Sequence, residues 1–149
     1  LRGGDGVGAR AALRAVGVSF ARDSAGASAR FLLAELTADD GDEPAARAQY
    51  LRLARELPDA RLAPAAAVRA GTLALAAGDA PAAVEALDLA VSRWPDAPEA
   101  PAARYWAGRA HAAAGDSATA RARWTAATAV GATSYYGWLA NRRLGQTPW

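Results

Sequence analysis

Residues 103–127 read ARYWAGRAHAAAGDSATARARWTAA. Ala103, Trp106, Ala107, Ala110 and Ala114 fall at offsets of 0, 3, 4, 7 and 11, which is one face of an α-helix. Gly115 ends that helix, because glycine enters the left-handed C′ conformation without a Cβ clash. Asp116 follows as an N-cap, a short acceptor for the free N–H groups of the next helix. Ala120, Trp124 and Ala127 then share a face of that second helix. The stretch predicts a helical hairpin, with small residues where the helices approach and one large aromatic wedged between them.

Working outward, the Gly-Asp pair recurs at Gly4-Asp5, Gly41-Asp42, Gly78-Asp79 and Gly115-Asp116, a constant step of 37 residues. Other positions keep the step. Ala9, Ala46, Ala83 and Ala120 stand five residues after each glycine, and Leu13, Tyr50, Leu87 and Trp124 four residues further on. Ala34, Gly71 and Gly108 precede the glycines by seven, and the same step lands on Gly145. Pro58 and Pro95 follow the second helices, while Pro64 and Pro101 open the next ones. This order resembles the tetratricopeptide repeat, whose common length is about 34 residues. The resemblance implies an all-α fold: a right-handed α-α superhelix of about three and a half hairpins with a C-terminal helix.

The expected boundaries are a half-hairpin over 1–22, hairpins over about 24–57, 62–94 and 98–130, and a terminal helix over about 134–145. The half-hairpin holds a second helix (about Val7 to Phe20) without its first, and the sequence opens on Leu1, so a piece of a longer protein is expected. No signal peptide is visible, which leaves the compartment open. Phe31, Leu32, Leu36, Tyr50, Leu53 and Leu57 are the apolar positions of the first hairpin. Asp39-Asp40-Gly41-Asp42-Glu43 puts negative charge at a helix start, where the dipole favours it. A calcium loop would need oxygen ligands spread over about twelve residues, and none follow. The second hairpin carries Ala83, Leu87, Ala90, Val91 and Trp94 on one side of its second helix. Gly131-Ala132-Thr133 breaks the third, and Ser134 caps a last helix ending at Gly145.

The chain has 149 residues, 52% of them hydrophobic, and no Cys, Met, Lys or Ile; all 17 basic residues are Arg. That usage matches the codon bias of a GC-rich genome, so arginine content is not read as a nucleic-acid signal. No apolar run is long enough to span a membrane. Without cysteine there is no disulfide scaffold and no thiol catalysis. Charge is uneven. Residues 1–100 hold 11 Arg against 14 Asp and Glu, a net of −3; residues 101–149 hold 6 Arg against Asp116 alone, a net of +5. A solvated helix face and an anionic partner or following domain are both compatible with that excess.

No catalytic constellation is expected. Glu35, Glu43, Glu56, Glu85 and Glu99 lack a paired acid at useful spacing. His111, the one histidine, shares its repeat position with Thr37 and Ala74 and reads as structural. The serines have no base nearby in sequence, and the glycines from Gly3 to Gly8 lack the strand before and the Lys-Ser/Thr after that a phosphate loop needs. Neither a cofactor nor a metal is expected.

The sharper clue is Tyr135-Tyr136-Gly137-Trp138-Leu139-Ala140 followed by Arg143-Leu144-Gly145, after a hairpin with Tyr105-Trp106-Ala107-Gly108-Arg109-Ala110 and Trp124. That order resembles the end of the α-superhelical region of soluble lytic murein transglycosylases, over about residues 98–149. The resemblance implies a periplasmic or cell-envelope parent that cleaves peptidoglycan with a downstream lysozyme-like domain. The family's catalytic Glu-Ser pair is absent from this chain. The implied role is non-catalytic: positioning glycan strands and docking the catalytic domain. The earlier hairpins equally resemble periplasmic tetratricopeptide proteins that bind a partner protein. Tyr135, Tyr136, Trp138, Arg142 and Arg143 are the candidate interdomain or partner contacts. At 100° per residue, Tyr135 and Trp138 lie nearly on one face, expected to pack on the Trp124 hairpin, while Tyr136 points away toward the partner.

Overall fold

Gly41, Gly78 and Gly115 carry φ angles of 86°, 77° and 86°. At each, the glycine and the aspartate behind it turn their N–H groups back onto the helix they leave. Gly41 donates to Ala38 O (2.9 Å) and Asp42 to Thr37 O (3.2 Å); Gly78 to Leu75 O (3.1 Å) and Asp79 to Ala74 O (2.9 Å). Gly115 donates to Ala112 O (3.1 Å) and Asp116 to His111 O (2.9 Å). This is the Schellman pattern, which satisfies carbonyls that have no partner at a helix end. The same aspartates then open the next helix: their Oδ1 atoms accept from Ala45 N (3.1 Å), Ala82 N (3.1 Å) and Thr119 N (3.0 Å). Two residues thus close one helix and start another.

The computed structural model describes residues 3–19, 23–131 and 133–146. Among them every regular element is an α-helix: α1 (Gly3–Ser19), α2 (Ser24–Asp39), α3 (Glu43–Glu56), α4 (Ala63–Ala76), α5 (Ala80–Arg93), α6 (Ala100–Ala113), α7 (Ser117–Val130) and α8 (Tyr135–Arg143). The expected helix end at Phe20, residues 21–22 of the half-hairpin and Ala132 of the break lie outside the described residues. The chain forms two compact units, Leu1–Ala66 and Ala67–Trp149.

In the first unit α2 packs against both α1 and α3. Tyr50 of α3 is buried and meets Phe31 of α2 edge-on, with ring centroids 5.1 Å apart. Ala34 of α2 and Ala46 of α3 are both fully buried. Glu56 ties the two helices together, accepting from Arg30 Nη1 (2.7 Å) on α2 and Arg52 Nε (2.7 Å) on α3. Arg10 of α1 pairs with Asp40 at the end of α2. The first Gly-Asp pair behaves differently from the others: α1 begins at Gly3, so Gly4 and Asp5 lie inside a helix rather than at a turn.

In the second unit α6 packs on α5 and α7, and α8 rests on α7 and α6. The close approaches fall at two glycines. A Cβ on Gly71 would lie 2.3 Å from Leu87 Cγ, and one on Gly108 would lie 2.3 Å from Trp124 Nε1. Leu87 is fully buried in a cluster with Ala74, Ala83, Ala107 and Ala110, a burial that contributes about 1.5–3 kcal/mol. Trp124 Nε1 donates to the buried Tyr105 O at 3.2 Å, so the indole is fixed at both its face and its polar edge. Gly145 departs from Gly71 and Gly108, whose repeat position it shares. Its φ is 73°, its N–H donates to Arg142 O (3.3 Å) and Gln146 N donates to Asn141 O (2.9 Å). It closes α8 as Gly115 closes α6.

Candidate functional site

Ser134 starts α8. Its Oγ accepts from Gly137 N (3.1 Å) and donates to Gly131 O (2.7 Å), which anchors the helix to the end of α7. Tyr136, Leu139, Ala140 and Leu144, at offsets of 0, 3, 4 and 8, form the face that settles on α6 and α7. They join Tyr105, Ala120, Trp124 and Ala127 in one apolar cluster. Tyr136 lies 5.8 Å from Tyr105, centroid to centroid.

That arrangement corrects the expected orientation of the helix. Tyr136 packs on the third hairpin instead of pointing away from it, and Tyr135 is the outward ring, 68% exposed. The reason is the stripe completed by Leu139, Ala140 and Leu144, which outweighs the pairing of Tyr135 with Trp138. Trp138, roughly 200° round the helix from Tyr136, is half-buried beneath Arg142, whose guanidinium carbon lies 5.0 Å from the ring centroid. Arg142 and Arg143 are both exposed. With Leu139 and Tyr105 they line a surface hollow of about 310 Å³. Tyr135, Arg142 and Arg143 are therefore outward, while Tyr136 and Trp138 are half-buried, Tyr136 at the border between core and surface. The rings touch in succession: Trp106 to Tyr105 (5.2 Å), Tyr105 to Tyr136, and Tyr136 to Tyr135 (5.4 Å).

A second cluster joins α5, α6 and α7. His111 Nε2 donates to Asp88 Oδ2 at 2.9 Å, and Asp88 Oδ1 lies 3.0 Å from Arg123 Nη2. His111 Nδ1 is 3.7 Å from Asp116 Oδ2. Hydrogen bonds from Thr119, its side chain first and then its backbone N–H, hold the Asp116 carboxyl below the ordinary carboxylate value, with His111 adding to the effect. His111 is mostly buried between two acids, which makes it a tie between helices. Asp88 and Arg123 carry no motif that marks them; each sits one position from a buried residue, Leu87 and Trp124, and so at the flank of a helix contact. The acidic turn around Gly41 is engaged locally, Asp42 as the cap of α3 and Asp40 with Arg10. Among the described residues no three His, Cys, Asp or Glu are placed to share a metal ion, and no helix is long and apolar enough to cross a membrane.

Neither a protein-family model nor a curated protein matches this chain.

Proposed function

We propose that this chain is a non-catalytic, tetratricopeptide-like scaffold: a right-handed α-α superhelix that holds a partner domain against its final helix. The observation that carries the reading is α8. It abandons the alanine-rich hairpin pattern, is seated by Tyr136, Leu139, Ala140 and Leu144, and turns Tyr135, Arg142 and Arg143 outward. Aromatic rings with a polar tip and forked guanidinium donors suit a partly wet interface.

The partner we infer is a lysozyme-like catalytic domain of a periplasmic peptidoglycan lytic transglycosylase, on the resemblance of Tyr135–Gly145 and the hairpin before it. Peptidoglycan strands would then be positioned by the scaffold and cut by the domain it docks. The reading frame beyond Trp149 tests this. A Glu-Ser pair inside a lysozyme-like helical pattern is expected; a stop codon or a further hairpin would select the general tetratricopeptide interaction module instead. Purified peptidoglycan incubated with these 149 residues alone should release no muropeptides, since cleaving a glycosidic bond needs a placed acid–base carboxyl group. Release that disappears when one Glu of this chain is replaced would overturn the non-catalytic reading.

A further inference from the structure

The hollow on α8 combines three properties that the fold itself does not require. First, Arg142 and Arg143 have no carboxylate partner among the described residues. The single acid of residues 101–149, Asp116, is occupied as the cap of α7. Second, the helix end does not need the two guanidiniums. The carbonyls of Ala140, Asn141 and Arg142 already accept from the backbone N–H groups of Leu144, Gly145 and Gln146. Complementing the helix dipole calls for no apolar lining beside the guanidiniums. Third, such lining is present: Leu139 and Tyr105 border the hollow together with the two arginines.

Arg142 is also partly preorganised. Its guanidinium carbon sits 5.0 Å over the Trp138 ring centroid, a cation–π contact that does not consume the N–H donors a carboxylate would use. A volume of about 310 Å³ sits at the small end of ligand-sized pockets, which run from about 300 to 1,000 Å³.

We propose that this hollow is a carboxylate-recognition site that takes an Asp or Glu side chain of a partner protein, flanked by an apolar residue resting on Leu139 and Tyr105. Charge complementarity favours the acidic occupant, since the last third of the chain carries a net +5. Leu139 in the lining favours a protein segment over a bare polyanion. The inference holds whether the partner is a catalytic domain or any other protein.

The test titrates acetyl-Leu-Glu-Glu-Leu-amide into the isotopically labelled chain and follows arginine side-chain and leucine methyl signals by NMR. Saturable shifts are expected at Arg142 Nε–Hε, Arg143 Nε–Hε and the Leu139 methyls. Arg121, exposed on α7 away from the hollow, should stay unmoved. Replacing both glutamates of the peptide by glutamine should abolish the shifts, and the double substitution Arg142→Gln, Arg143→Gln should weaken binding at least about tenfold with the helical signal intact. Raising ionic strength from about 0.01 M to about 0.15 M, which shortens the screening length from about 30 to about 8 Å, should weaken it further. Shifts as large at Arg121, absence of saturation, or stronger saturable shifts at Arg142 and Arg143 with a single-stranded oligonucleotide would each overturn the proposal.

Discussion

Replacing Gly108 by alanine would gain about 1 kcal/mol of helix propensity, yet a Cβ there would meet Trp124 Nε1 at 2.3 Å and Cδ1 at 2.5 Å. Overpacking of this kind costs about 1–3 kcal/mol. Moving the indole aside would also break its bond to Tyr105 O, about another 1 kcal/mol. Packing therefore outweighs propensity, and Gly108→Ala should melt at a lower temperature with altered tryptophan fluorescence; an unchanged or higher Tm would show that Trp124 can relocate freely. Asp116 gives a prediction of a different kind. Its folded pKa lies below the ordinary 3.8, chiefly through Thr119. Glu56 is likewise held below its ordinary 4.5, with the hydrogen bond from Arg52 the largest cause. A carboxyl with a depressed folded pKa stabilises the fold above its ordinary value, and that contribution fades as pH falls from there through the depressed value. Asn also caps helices well but does not titrate, so Asp116→Asn should leave Tm near neutrality almost unchanged and make its decline below pH 3.8 shallower. An acid limb as steep as that of the unsubstituted protein would count against the assignment.

At the scale of the element, α8 separates two neighbouring tyrosines. Tyr136 is half-buried against Tyr105 and Trp124, whereas Tyr135 is 68% exposed. Tyr136→Ala should destabilise the protein by about 1–3 kcal/mol, and Tyr135→Ala by no more than about 0.5 kcal/mol; denaturant melts of the two variants would reveal a reversed order at once. The sequence makes the ends of this helix plain, because Ser134 and Gly145 have one physical role each. Its rotation was harder to read. Three aromatics within four residues fit more than one face, and only the weaker apolar residues Leu139, Ala140 and Leu144 decide between them. The turns at Gly41, Gly78 and Gly115 were legible for the opposite reason, since a glycine and an aspartate between two helical patterns leave few alternatives, whereas the same pair at Gly4-Asp5 lies inside α1. The Asp88–His111–Arg123 tie was not legible, since its members come from three helices and nothing local marks which flanks will meet.

Across the whole molecule the described core is built mainly from alanine, with Tyr50, Leu53, Leu87, Tyr105 and Trp124 as its large members. Such interfaces bury little area per residue, so each large side chain and each small residue opposite it carries an outsized share of stability. The Gly-Asp turn adds a consequence on an evolutionary scale. Because one dipeptide both finishes a helix and begins another, a cut through its peptide bond passes between two complete messages. Residues 79–115 start with Asp79 and finish with Gly115, so a second copy spliced in after Gly115 would regenerate Gly-Asp at both of its seams. The inserted α5 would bring Leu87 against Gly108, a smaller occupant than Trp124 for a space that the glycine already leaves open. A chain lengthened in this way should keep its ellipticity per residue while its total helical signal grows, and a loss of ellipticity per residue would show that the seams alone do not suffice. Where a joint is that self-contained, copying errors in a gene become a means of adding length without inventing a new fold.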